Sequence, residues 1–241
     1  LSLPEEQILD AGAIAIASST HLSKIVNLTL WKNGIGPSGA AAIFASPHLT
    51  NLASLDISQN ILRGLAEALS GSRHTVRLRR LDLGRTRLGT AAVACLSGLP
   101  SLADLSVLRI DEGELDSAAA TVLATSPILK KLVRLSLNFN RIGNEGASAL
   151  ASCANFARLD SLNLGNNEIG DAGAVALASS SLLGRLTDLV LAGNDISDRG
   201  AFALVASPFS TQFKVLSLRG NPIGPAGRKA LIDRFGTTVT M

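Results

Sequence analysis

The chain has 241 residues, 46% hydrophobic but only 3% aromatic, with 22 basic and 19 acidic side chains and a net charge of +3. No uninterrupted apolar run nears the roughly 18 residues of a membrane-spanning helix, which argues against a helical span and a membrane role. There is no block of like charges and no basic stripe interleaved with aromatics, which argues against nucleic acid as a partner.

The chain opens on "LSL", and Leu1 begins a series. Leu28, Leu55, Leu81, Leu108, Leu135, Leu162, Leu189 and Leu216 follow at intervals of 27 residues, with one interval of 26. Nine units therefore cover residues 1–241 as one repeat domain. Within a unit the apolar period changes. Leu135 and Leu137 alternate as in a short strand with one buried face, whereas Ile142, Ala147, Leu150 and Ala151 share a helix face. Each unit is read as a short strand followed by a short Ala-rich helix.

The first unit starts without Met and without polar cover. This predicts a missing cap or upstream domain, and offers an apolar end for self-association. Unit 2 places Trp31 and Lys32 just after its strand. Trp31 is the only Trp and stands at an outward position with no evident core to fill. Unit 3 is one residue short at "LRGLAEALS" (62–70).

Two further columns run through the array. Asn33, Asn60, Asn140, Asn167, Asn194 and Asn221 stand where the chain leaves the strand, and a buried amide there satisfies backbone groups. In units 4 and 5 this column reads Thr86 and Gly113, so the ladder is expected to break. Gly39, Gly146, Gly173, Gly200 and Gly227 form a second column that requires close packing.

Charge gathers around that break. Arg80, Asp82, Arg85 and Arg87 in unit 4, and Arg109, Asp111, Glu112 and Glu114 in unit 5, point away from the core, and Arg134 and Phe139 follow in unit 6. Exposed aromatics beside Arg have the composition of an interface. The alternative reading is that opposite charges on neighbouring strands pair as solvated neighbours, at about 0–1 kcal/mol each. The last stretch, residues 228–241, adds charge around a final helix and a β-prone tail, and reads as a C-terminal cap.

Candidate chemistry finds little support. His21, His48 and His74 each precede an anchor by seven residues, but imidazoles in a line do not surround one metal ion. "GNPIGPAGRK" (220–229) lacks the GxxxxGK[ST] order of a phosphate loop. No Ser/His/Asp grouping or carboxylate pair stands out. Neither cofactor nor metal is expected, and the reading is of a protein that is not an enzyme. Cys95 and Cys153, two units apart, are too distant to bridge, which suggests a reducing compartment such as the cytoplasm.

"LVRLSLNFNRIGNEGASALA" (132–151) and "LDSLNLGNNEIGDAGAVALA" (159–178) resemble leucine-rich repeats of the ribonuclease-inhibitor-like class, and "GASALA" and "GAVALA" resemble the GALA variant of bacterial proteins. The resemblance implies an α/β solenoid, a horseshoe with a parallel sheet on the concave face and helices on the convex face. It also implies a module that holds another protein against the concave face, at Trp31, Lys32, Arg80, Asp82, Arg85, Arg87, Arg109, Asp111, Glu112, Arg134 and Phe139. A regulatory or sensor domain of a larger protein is the alternative: autoinhibition, GTPase regulation, or substrate recognition for a ubiquitin ligase or a delivered effector.

Overall fold

The structure is a computed structural model that describes residues 1–70, 76–209 and 212–241. Its strands are β1 (Asn27–Thr29), β2 (Ser54–Asp56), β3 (Arg80–Asp82), β4 (Val107–Arg109), β5 (Arg134–Ser136), β6 (Ser161–Asn163), β7 (Asp188–Val190), β8 (Val215–Ser217) and β9 (Val239–Thr240). The helices are α1 (Leu9–Ser18), α2 (Pro37–Phe44), α3 (Leu65–Leu69), α4 (Gly89–Leu96), α5 (Ser117–Thr125), α6 (Gly143–Ala151), α7 (Asp171–Ala178), α8 (Asp198–Ala206) and α9 (Pro225–Phe235).

The strands form one parallel sheet in chain order, β1 to β9. Anchor leucine faces anchor leucine at every step from Leu28 on Leu55 to Leu189 on Leu216. Those anchors are at most 4% exposed, so each contributes the burial of a whole side chain, about 1.5–3 kcal/mol. Unit 1 adds only a bridge, Ser2 with Thr29. The ninth strand comes instead from the tail, where β9 pairs with β8 and Val239 is buried. Packed helices lie about 8–10 Å apart and strands about 4.8 Å apart. A stack with every strand on one side therefore curves with the sheet inside, which makes the sheet concave.

The asparagine column is a buried ladder. The Asn194 side-chain amide donates to the carbonyls of Leu164 and Leu191 at 2.9 and 3.0 Å, and its oxygen accepts from the Asn167 and Ile169 amides, both at 3.0 Å. Asn60 and Asn140 make the same contacts in their units. Thr86 keeps one of them, donating to Leu83 O at 2.7 Å, while Gly113 brings no side chain. The ladder breaks where the sequence predicts.

The residue just before this column is left-handed in every unit. Glu5, Lys32, Gln59, Arg85, Glu112, Phe139 and Asn166 have φ between 51° and 61°, and Gly193 and Gly220 have 66° and 72°. The turn off the strand demands that conformation, which costs a non-glycine residue about 1–2 kcal/mol.

The glycine column marks close contact between helices. A Cβ on Gly200 would come within 3.0 Å of Ala174 Cβ, and one on Gly146 within 3.0 Å of Ala120 Cβ. Four glycines of this column, Gly39, Gly173, Gly200 and Gly227, also donate to a side chain of the preceding helix. Asp198 Oδ1 accepts from the amides of Gly224 and Gly227 at 2.7 and 3.1 Å, and Asp171 Oδ1 accepts from Ser197 and Gly200 at 2.8 and 2.9 Å. Asp10 and Asn144 do the same for α2 and α7. The residue missing from unit 3 shortens α3 to five residues, and its turn passes through Gly64 at φ 89°.

Candidate functional site

The concave face is uneven. In units 6 to 8 the positions directly after the second buried leucine hold small neutral groups, Asn138, Gly165 and Ala192, and in unit 9 the exposed Arg219. In units 2 to 6 the face holds an open groove of about 420 Å³, bounded by Trp31 at one end and Phe139 at the other. Gly84 and Ser58 keep its floor low. Asp56, Asp82, Arg85, Arg109, Asp111 and Glu112 line it.

Arg109 occupies a strand position that holds Asp56 and Asp82 in the two units before. Its guanidinium reaches Asp82 at 3.3 Å and Asp111 at 3.2 Å, joining two carboxylates of successive units. Asp82 Oδ1 also accepts from the Gly84 amide at 3.0 Å, and Asp111 Oδ1 accepts from the Asn138 amide at 2.9 Å. Burial pushes the Asp82 carboxyl above its ordinary value, against the Gly84 amide and Arg109, with help from Asp56 and Asp111. Burial pulls the other way on Arg109, but Asp82, Asp111 and Asp56 together raise its proton affinity.

Of the eleven residues singled out from sequence, the groove gathers Trp31, Asp82, Arg85, Arg109, Asp111, Glu112 and Phe139. Lys32, Arg80, Arg87 and Arg134 lie outside its lining. Much of the charge is paired between units: Arg85 with Glu112 at 2.8 Å, Arg87 with Glu114 at 3.7 Å, and Lys32 with Glu5 at 2.7 Å. Trp31 is half-buried and faces the groove, and Phe139 is 53% exposed. Neither stacks on an arginine. Among the described residues the one cation–π contact is Arg234 over Phe235, at 6.0 Å and in the last unit.

His21 is exposed and His48 half-buried in the loops that follow α1 and α2, and His74 lies outside the described residues. Among the described residues no group of three His, Cys, Asp or Glu side chains could hold a metal ion. Cys95 and Cys153 are free thiols whose proton affinity burial raises, which makes both poor nucleophiles. No described helix is long and apolar enough to cross a membrane.

A basic column escaped the sequence reading. Lys24, Arg77, Lys131, Arg158 and Arg185 hold one repeat position, four residues before their anchors, and all are exposed. Because members are separated by whole units, they read as isolated charges along the chain. Alignment at the repeat period would have found them.

A family model described as "Leucine Rich repeat" matches residues 129–151, 159–178, 186–205 and 210–231. No curated protein matches the chain by sequence. Among solved structures, internalin C2 from Listeria monocytogenes is 20% identical with a TM-score of 0.64, the match covering 98% of this chain and 92% of that one. A chain from the yeast Rad7 and Elc1 complex is 16% identical at TM-score 0.52, with 91% and 69% covered. A plant ice-binding protein is 17% identical at TM-score 0.51, with 85% and 59% covered. At these identities the likeness is one of fold. The four matched segments are leucine-rich repeats, and the same register through the remaining units, with the open parallel sheet and its row of helices, gives the chain the fold of a leucine-rich repeat solenoid.

Proposed function

We propose that the protein is a non-enzymatic binding module that holds another protein against its concave face, in the half built by units 2 to 6. The observation that carries this reading is the groove between Trp31 and Phe139. It combines aromatic ends, a floor of charged groups already held in place, and a rigid frame of hydrogen-bonded backbone. A preorganised surface loses little conformational entropy on association. The exposed Phe139 ring is the apolar anchor, and Arg85, Arg109, Asp111 and Glu112 set orientation and selectivity. The yeast structure of similar fold is of a complex between two proteins, which accords with this reading. Helices of eight or nine residues in most units, closely packed through Gly and Ala, support assignment to the ribonuclease-inhibitor-like class with GALA-type units. Two free thiols accord with a reducing compartment such as the cytoplasm.

The test is capture from a lysate of the source organism with three baits: the parent chain, Trp31→Ala with Phe139→Ala, and Phe202→Ala. Phe202 is a helix-side aromatic, 45% exposed. A protein retained by the parent and by Phe202→Ala but lost from the double variant supports the groove. Retention by all three baits, or loss from Phe202→Ala alone, rejects it.

A further inference from the structure

The two long edges of the solenoid differ in charge. On the outbound edge, where the chain leaves the strands, cations meet carboxylates: Lys32 with Glu5, Arg85 with Glu112, and Arg63 and Arg87 with Glu114. The inbound edge, where the chain comes from the helices into the strands, is built otherwise. Its outer column holds Lys24, Arg77, Lys131, Arg158 and Arg185. Arg79 and Lys214 stand two residues further on, in a column stacked by backbone bonds from Ser106 N to Arg79 O at 2.8 Å through to Lys214 N on Thr187 O at 2.7 Å.

Acid on this edge is sparse and already engaged. Asp160 and Asp188 share the single proton of the Thr187 hydroxyl, whose oxygen lies 2.8 and 2.6 Å from them. Asp104 pairs with Lys131 at 2.5 Å, the one ion pair of this edge among the described residues. The Lys131 ammonium, bonded to the Asp104 carboxylate, holds it below the usual carboxylate range, and Arg77 and Arg79 add to that effect. Arg79, Lys131 and Arg158 also line one open cleft of about 350 Å³, with Asp104, Ser106 and Val133. In a chain whose whole net charge is +3, the edge is a local concentration of cations.

We propose that this inbound edge is a second docking surface, separate from the concave groove, and that its occupant is an extended Asp- and Glu-rich segment of a protein partner. Charge complementarity argues for the acidic occupant. Most of the cations are arginines, whose planar forks suit carboxylates. The row follows the stacking direction of the units. An extended segment sets side chains on one side about 7 Å apart, within reach of long Arg and Lys side chains on successive units. A nucleic-acid strand is disfavoured because its bases stack on aromatic rings, and Trp31 and Phe139 lie in the groove instead. A lipid surface is disfavoured because stable anchoring asks for apolar insertion beside the charge, and the cleft is lined mainly by charged side chains.

The experiment is fluorescence anisotropy with a labelled acidic peptide of mixed Asp and Glu, on the whole chain, at low and near-physiological salt. The variants are Arg79→Glu with Arg158→Glu on the inbound edge, and Arg141→Glu with Arg199→Glu elsewhere, which make the same change in net charge. The expected result is binding that weakens about tenfold or more between the two salts, and about tenfold or more in the inbound variant, with the control within about threefold of the parent. No salt-sensitive binding, or equal loss in both variants, overturns the proposal, since equal loss is what net charge alone would do. Tighter binding of an oligothymidylate of equal charge, or of phosphatidylserine vesicles, also overturns it in favour of those ligands. None of the substituted residues lines the groove, so a failure here leaves the concave-face reading standing, and the reverse holds.

Discussion

Arg85 Nε donates to Glu112 Oε1 at 2.8 Å from the neighbouring unit, and both residues hold left-handed backbone, at φ 58° and 51°. An exposed pair of this kind contributes at most about 1 kcal/mol, no more than one strained residue costs. The left-handed column runs through all nine units, so it belongs to the turn and not to the groove. Gln59→Gly should therefore raise the free energy of unfolding by about 0.5–1 kcal/mol after glycine's own entropic cost, and Gly220→Ala, which pays the strain but recovers that entropy, should lower it by about 0.5–1 kcal/mol. Urea denaturation measures both. A Gln59→Gly protein no more stable than the parent would mean that the turn carries no strain.

The ladder should be unequal along its length. Asn194→Ala leaves the buried amides of Asn167 and Ile169 without their acceptor, and a loss of about 2–4 kcal/mol is expected from two orphaned donors. Thr86→Ala removes a single bond to Leu83 O and should cost about 1 kcal/mol. Equal losses would show that the break at Thr86 is not a break in energy.

Asp171 gives a pH signature. Burial alone would raise its carboxyl, but the Ser197 hydroxyl and the Ser197 and Gly200 amides outweigh it and hold the group below the ordinary value. A folded-state value below the unfolded one means stability fully present above about pH 5 and lost as pH falls through the folded value. Asp171→Ala should cost about 1 kcal/mol at pH 7, as for loss of a helix cap, and should flatten the acid limb of the stability profile. Melts from neutral pH down to about pH 2 follow both effects, and parallel acid limbs would refute the assignment.

Arg109 sits between Asp82 and Asp111. Replacing it with Met removes the cation that favours the ionised form of Asp82, so the proton affinity of that carboxyl, already raised by burial, rises further. The expected loss at pH 7 is about 0.5–1 kcal/mol, discounted because the Arg109 side chain is 55% exposed. The loss should shrink as acid protonates Asp82. Chemical denaturation at about pH 3.5 and at pH 7 tests this; a loss equal at both would point to packing of the arginine stem.

What recurs in identity was legible in the sequence. Leu28 to Leu216 set the register, the Asn column showed the turns, and Thr86 and Gly113 showed where the ladder fails. What depends on contacts between units was not. Asp198 caps a helix through amides 26 and 29 residues away, and nothing near Asp198 in the chain announces that partner. Lys32, Gln59, Glu112 and Phe139 share a left-handed backbone although their side chains have nothing in common; only Gly193 and Gly220 hint at it. The groove was half legible. Phe139 was located as an exposed ring, but the fit of Arg109 between carboxylates of two different units needed the strand pairing.

The caps that pass from one helix to the next have a mechanical consequence. They join unit 1 to unit 2 and then units 6 to 9, through Asp10, Asn144, Asp171 and Asp198. Between units 2 and 6 the same position holds Pro37, Gly64, Thr90 and Ser117, none of which accepts from the amides of the next helix among the described residues, and Thr90 reaches the next unit by one hydroxyl bond to Asp116 at 2.8 Å. In a linear array, where each unit is held only by its neighbours, the weakest junctions yield first. Pulled from its two ends, the protein should part in the stretch that bears the groove, and the block from unit 6 to unit 9 should let go last, in one step.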